Sequence, residues 1–313
     1  MGDGISNSAA PIVSPHRHFG VADIGATIIM NLTMGLNTVA IKFVVTALAP
    51  LTTCALRFGI VFLLCLPWTF RTRGRWKLLA LFGFMNGVAM PVLMSLSIHL
   101  SRNIGALSIV AQLSIPFGVV LGMLLLGEKV NRVRAIGTIL AFVGVVVMLF
   151  DPRIAEDFIG VVLMLGAALA WSVCSLLMRQ LSGTPLLSFY AWTGLMALLF
   201  VLPAAAIFEP GMIERTGAIG WEPAAWLAFM IIGATIIGNG CITWMFRHHP
   251  VSVVMPLTLG TPVVAVVSAR LLLDAPITLL MVLGGAMVIG GIAVIIGFAA
   301  ANTPRPAPEG AAA

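Results

Sequence analysis

Between residues 22 and 300 the chain is a near-continuous series of apolar stretches, each close to the length that crosses a lipid bilayer. A spanning helix needs about 20 mostly apolar residues, because without water every backbone N–H and C=O must be satisfied inside the segment. Ten such stretches are read at 22–48, 51–70, 76–98, 104–126, 132–150, 157–181, 185–208, 223–246, 251–273 and 276–300. Pro50, Pro185, Pro250 and the run Asp274-Ala275-Pro276 stop helices between them. Only 9% of the 313 residues are charged, against about a quarter in a soluble domain, so a water-facing surface is not available. The fold class predicted is an all-α membrane protein of ten transmembrane helices. The first stretch ends in a cleavage-like Ala47-Leu48-Ala49, but it is too long for a signal core and Lys42 interrupts it, so it reads as a retained helix. Residues 1–21 read as a cytoplasmic N-terminal segment, and the Pro- and Ala-rich residues 301–313 as a disordered tail.

The net charge of +6 is accounted for by loop arginines and lysines. With the N-terminus inside, one side receives eleven basic residues: Arg17, Arg71, Arg73, Arg75, Lys77, Lys129, Arg132, Arg134, Arg179, Arg247 and Arg305. The other receives four: Arg102, Arg153, Arg215 and Arg270. This positive-inside bias places both termini in the cytoplasm and the protein in the inner (plasma) membrane. No basic patch with interleaved aromatics exists, so no nucleic acid partner is expected. Cys54, Cys65, Cys174 and Cys241 lie in apolar runs without metal-like spacing and read as small buried hydrophobes; neither a metal nor a cofactor is expected.

An internal repeat organises the series. Pro116 precedes Glu128 by twelve residues, Pro262 precedes Asp274 by twelve, and three leucines stand just before each acid. One further residue aligns Gly137 with Gly284 and Gly144 with Gly291, while Lys42 and Pro50 correspond to Arg179 and Pro185. Residues 22–150 and 157–300 are therefore read as two five-helix repeats. An odd number of spans per repeat inverts one copy relative to the other, the plan of many secondary transporters that bind substrate near the midplane between the halves. The Gly runs from Gly137 to Gly144 and from Gly284 to Gly291 read as closely packed helix faces, with a homodimer face as the alternative.

These landmarks carry a family resemblance. Thr33 to Asn37, Val39 to Lys42, Ala49-Pro50-Leu51 and Leu56-Arg57-Phe58 resemble the opening of EamA-type members of the drug/metabolite transporter superfamily. Leu125 to Glu128 with Gly137 and Gly144, Ala168 to Trp171, Pro256-Leu257, Pro262 and Leu271 to Asp274 resemble later parts. Within the family the pattern is similar to exporters of O-acetylserine and cysteine, but Ala275-Pro276 stand where an acid–Arg pair is usual. The resemblance implies a central cavity lined mainly by helices 1, 3, 4, 6, 8 and 9.

A charge inside a membrane span needs a reason. Lys42 and Arg57 lie some six or seven residues from one end of the first two spans, and either snorkels to the headgroups or attracts an anionic group of the substrate. Asn37, Asn86, Gln112, Asn239 and Thr258 sit inside spans, where each needs a partner helix or a polar cavity; Trp171 in mid-span reads as cavity wall or lipid contact. Together with Lys42 and Arg57 these form the candidate substrate-binding set. Glu128, Asp274, Arg270, Pro116 and Pro262 are read as structural, with Arg270 and Asp274 an i,i+4 pair. The function expected is export of a small amino-acid-like, zwitterionic or anionic metabolite, with substrate and lipid as partners. The sequence carries no phosphate-binding loop for a pump, and no pair of embedded acids or His cluster for a hydrolase. An intramembrane enzyme, a channel, and an exporter of hydrophobic drugs are the alternatives.

Overall fold

The computed structural model describes residues 20–69, 74–127, 131–181, 183–249, 254 and 257–301, and the regular elements among them are all helical. Ten helices run back and forth: α1 (Val21–Leu48), α2 (Pro50–Trp68), α3 (Trp76–Leu100), α4 (Ile104–Leu125), α5 (Arg132–Leu149), α6 (Phe158–Gln180), α7 (Leu186–Phe208), α8 (Trp221–Met245), α9 (Gly260–Leu273) and α10 (Leu279–Ala301). Among the described residues nine are long and apolar enough to span a membrane, and the apolar α9, with 14 residues, is the short tenth. Leu63, Leu124, Ile139, Phe150 and Leu271 are 62–75% exposed on the flanks, which suits hydrocarbon and not water. The end of the bundle where α1 begins is called here the near face, the other the far face.

Local chemistry sets the helix ends. Pro50 disfavours helical geometry at Ala49, which takes φ 74° and ψ 159°, so α1 stops and α2 starts at once. The Glu209 carboxylate, at the end of α7, accepts from Leu51 N and Thr52 N at 2.8 Å, supplying partners for orphan donors of α2. Asp157 does the same for the α3–α4 turn, accepting from Arg102 N at 2.9 Å and Asn103 N at 2.8 Å.

Two helices are broken at equivalent places, and the prolines are the cause. A proline ring clashes with the carbonyl four residues earlier. Four residues before Pro116 is Gln112, and four before Pro262 is Thr258. At both sites the ladder tightens: Ile115 N bonds Gln112 O at 3.1 Å, and Thr261 N bonds Thr258 O at 3.0 Å. Regular helix resumes at Ser114 and Gly260.

Packing follows the repeat. α1 lies against α8 and α9, and α6 lies against α3 and α4; α2 packs on α7 and α5 on α10. Exchanging helices 1–5 with 6–10 maps this set onto itself, as two inverted five-helix halves require. The α5–α10 pair makes the point residue by residue. Gly137 faces Gly291 and Gly144 faces Gly284, so that a Cβ on Gly137 would lie 2.6 Å from the Gly291 carbonyl oxygen. These glycines are consumed within the chain, which removes them as a homodimer face: a second copy cannot reach backbone that already touches backbone.

Candidate functional site

α1 is deeply enclosed over its second half, with Val39, Ala40, Val44 and Leu48 fully buried, and it belongs to one half of the chain while its neighbours α8 and α9 belong to the other. Its antiparallel register with α8 is fixed at three levels. At the near face Asp23 Oδ1 lies 2.7 Å from His249 Nε2, with Asp23 inaccessible to solvent and His249 8% exposed. Further in, Gly238 lies against Thr33 and Met34. Toward the far face Phe43 stacks on Trp226 at 5.3 Å. Asn37, one turn beyond Thr33 and Met34, is therefore level with Ala234 and Thr235.

α1 also holds the broken helix α9. Thr261 N has turned to Thr258 O, so the Leu257 carbonyl has lost its helical donor; Asn31 Nδ2 takes it at 2.9 Å, and Asn31 Oδ1 accepts from Thr261 Oγ1 at 2.9 Å. On the other half Ser172 of α6 donates to the Ser114 carbonyl beside the break in α4.

The sequence candidates divide by how their polar atoms are used. Asn86 donates to Thr193 Oγ1 at 3.0 Å, joining α3 to α7. Asn239 donates to Thr235 O at 3.2 Å within its own helix, across a π-helical stretch at Phe229–Gly238. Thr258 and Gln112 stand at the two breaks, and the Gln112 side chain makes no hydrogen bond among the described residues. Trp171 is 39% exposed, on a stripe with Ser175 and Met178 that turns away from buried Ser172 and Cys174. Asn37 Oδ1 is buried without a donor. Arg57 Nη2 donates to Thr235 Oγ1 at 3.0 Å, while its Nε is buried without an acceptor.

The Lys42 ammonium points to main chain. It donates to Ser101 O at 2.7 Å, Ile98 O at 2.9 Å and His99 O at 3.3 Å, three carbonyls where α3 ends, and a cation is favoured at such a terminus. Its stem lines a cleft of about 360 Å³ at the far face, with Phe43, Thr46, Ala47, Pro223 and Leu273. Nearby, Arg270 Nη1 and Asp274 Oδ1 lie 3.8 Å apart on an exposed turn, too open to contribute much. Glu128 lies outside the described residues.

Four residues of the seam did not stand out in the sequence: Asp23, Asn31, Thr235 and His249. Asp23 has the position of an ordinary first-turn acid, and His249 stands 226 residues away. The signal for Asn31 was present, as a buried amide needs partners and Pro262 predicts a free carbonyl.

Comparison with known proteins agrees with this architecture. The chain is 28% identical over 261 residues, 81% of its length and 87% of the relative's, to a "Probable amino-acid metabolite efflux pump" of Escherichia coli. It is 26% identical, over 81% of this chain and 87% of the relative, to a protein of the same description in Salmonella typhimurium. A solved crystal structure superposes with TM-score 0.58 at 21% identity, covering 90% of this chain and 99% of the other, which speaks for the fold alone. The model of the EamA-like transporter family matches residues 22–150 and again 158–297, one match for each half, and the chain belongs to that family of membrane transporters.

Proposed function

We propose that this protein exports a small amino-acid-like metabolite, zwitterionic or anionic, across the inner membrane by alternating access between its two halves. The printed names of the bacterial relatives support efflux of amino-acid metabolites. The eleven-to-four distribution of loop charge supports a cytoplasmic near face and cytoplasmic termini. The observation that carries the mechanism is the α1–α8 seam. Asp23 and His249 close it at the near face, whereas a cleft beside Lys42 and Pro223 opens at the far face. With the near face cytoplasmic, loading from the cytoplasm requires the Asp23–His249 contact to part.

Counterflow of labelled amino acids in proteoliposomes tests the function, because a channel gives none. The gate is tested by Asp23→Cys with His249→Cys in a background lacking the four native cysteines. Oxidation should stop transport and a reductant restore it. Undiminished transport in fully cross-linked protein refutes the assignment.

A further inference from the structure

Resting on the export reading, we propose that Arg57, Thr235 and Asn37 read the zwitterion of an α-amino acid: Arg57 takes its carboxylate and Asn37 its ammonium. Arg57 is a cation in a membrane span with no carboxylate paired to it among the described residues, a costly arrangement unless something else supplies the anion. Snorkelling does not explain it. The headgroups of the far face are about 10 Å up α2, yet the guanidinium is turned to Thr235, which is about 21 Å along α8 from Trp221. The Thr235 hydroxyl donates to Met230 O at 2.8 Å, so toward Arg57 it is an acceptor and holds one Nη of the fork. The buried Nε has no acceptor, and a carboxylate is the group whose two oxygens match adjacent guanidinium donors.

Asn37 supplies the other half. It is level with Thr235 in the α1–α8 register, and its buried Oδ1 has no donor. An orphan N–H and an orphan carbonyl oxygen at one level of the bundle are complementary to a carboxylate and an ammonium on one small molecule. The repeat supports the location. The repeat relates the α2–α8 seam, crossed by Arg57–Thr235, to the α3–α7 seam, crossed by Asn86–Thr193. The α3–α7 seam is tight, with Gly83 and Gly87 against the Trp192 and Thr193 carbonyls. The α2–α8 seam touches lightly by comparison and carries the unpartnered Arg57 Nε, with Asn37 on the neighbouring α1.

The test uses the full chain in proteoliposomes loaded with a mixture of radiolabelled L-amino acids. For the best-transported amino acid, two competitors follow: the amine lacking its carboxylate and the acid lacking its ammonium. In wild type each should compete at least tenfold more weakly than the amino acid. Arg57→Met should abolish discrimination against the amine alone, and Asn37→Leu discrimination against the acid alone. A merely structural role lowers transport of everything without changing these ratios, and that result overturns the proposal. So does wild-type protein that accepts the amine as well as the amino acid, a measurement that needs no variant to fold. Failure to move any amino acid refutes the export reading instead, and with it this site.

Discussion

Gly290 and Gly291 are neighbours on α10, and a methyl group added to each should act with opposite sign. A Cβ on Gly291 would lie 2.8 Å from Ala141 N and 3.2 Å from Ala141 Cβ, and closer still to the Gly137 carbonyl oxygen. The colliding atoms are mostly backbone of α5, which cannot rotate away, so the helices must part by roughly half an ångström. Overpacking of this kind costs about 1–3 kcal/mol. Replacing a helical glycine by alanine returns about 1 kcal/mol. With the collision near the top of its range, Gly291→Ala should be destabilising by roughly 1–2 kcal/mol. A Cβ on Gly290 meets nothing within 4 Å, so Gly290→Ala keeps only the propensity gain, about 1 kcal/mol. The two variants should therefore differ by about 2–3 kcal/mol. Thermal unfolding of purified protein in detergent, followed by size-exclusion chromatography, should place them on opposite sides of wild type. Equal midpoints would refute the backbone contact between α5 and α10 and with it the internal use of these glycines.

Removing the Lys42 charge should act on stability first. Lys42→Met leaves three carbonyls at the end of α3 without their donor, about 1–3 kcal/mol, and should lower the unfolding midpoint; an unchanged midpoint with lost transport would mark Lys42 as a ligand contact instead. Asp23→Ala takes a hydrogen-bond partner from the buried His249 ring and should cost about 1–3 kcal/mol, with Asp23→Asn recovering part; yields of folded protein check the order. Asn31→Ala exposes the Leu257 carbonyl at the break in α9 and should cost about 1–3 kcal/mol, whereas Asn31→Asp keeps an acceptor for Thr261 but loses the donor to Leu257 and should fall between.

Apolar length alone made the spans legible, since a bilayer admits few other solutions, and the inverted halves followed from the spacing of Pro116 and Pro262 to their acids. The apolar pattern starts α9 at 251, but described helix is continuous only from Gly260, because Pro262 interrupts the ladder at Thr258. The candidate site is legible in the sequence as a set of residue types and not as a geometry. Lys42 drew attention as a charge, but its partners are main-chain carbonyls at positions 98, 99 and 101, which no side-chain pattern announces. Arg57 meets Thr235 across 178 residues of sequence, a pairing that depends on the packing of the two halves. Asp23 and His249 were invisible for the same reason.

The two halves are equivalent in plan but differ in how closely their corresponding seams pack. A perfect two-fold relation would give the α2–α8 seam the closeness of α3–α7. Instead glycines bring α3 onto the backbone of α7, sealing Asn86 against Thr193, while Arg57 and Asn37 keep unsatisfied atoms beside α8. Buried polar groups without partners are costly in a bundle with no water to compensate them, so the loose seam and its neighbour α1 carry a cost at Arg57 and Asn37 that the proposed zwitterion would relieve. The prolines supply the compliance. At Gln112 and Thr258 the ladder is already broken, and α9 is tied across its break to α1 by Asn31 while α4 is tied to α6 by Ser172. Each tie joins a break to the first helix of the opposite half, α9 to α1 and α4 to α6, so the two breaks are held by contacts that the repeat relates to one another.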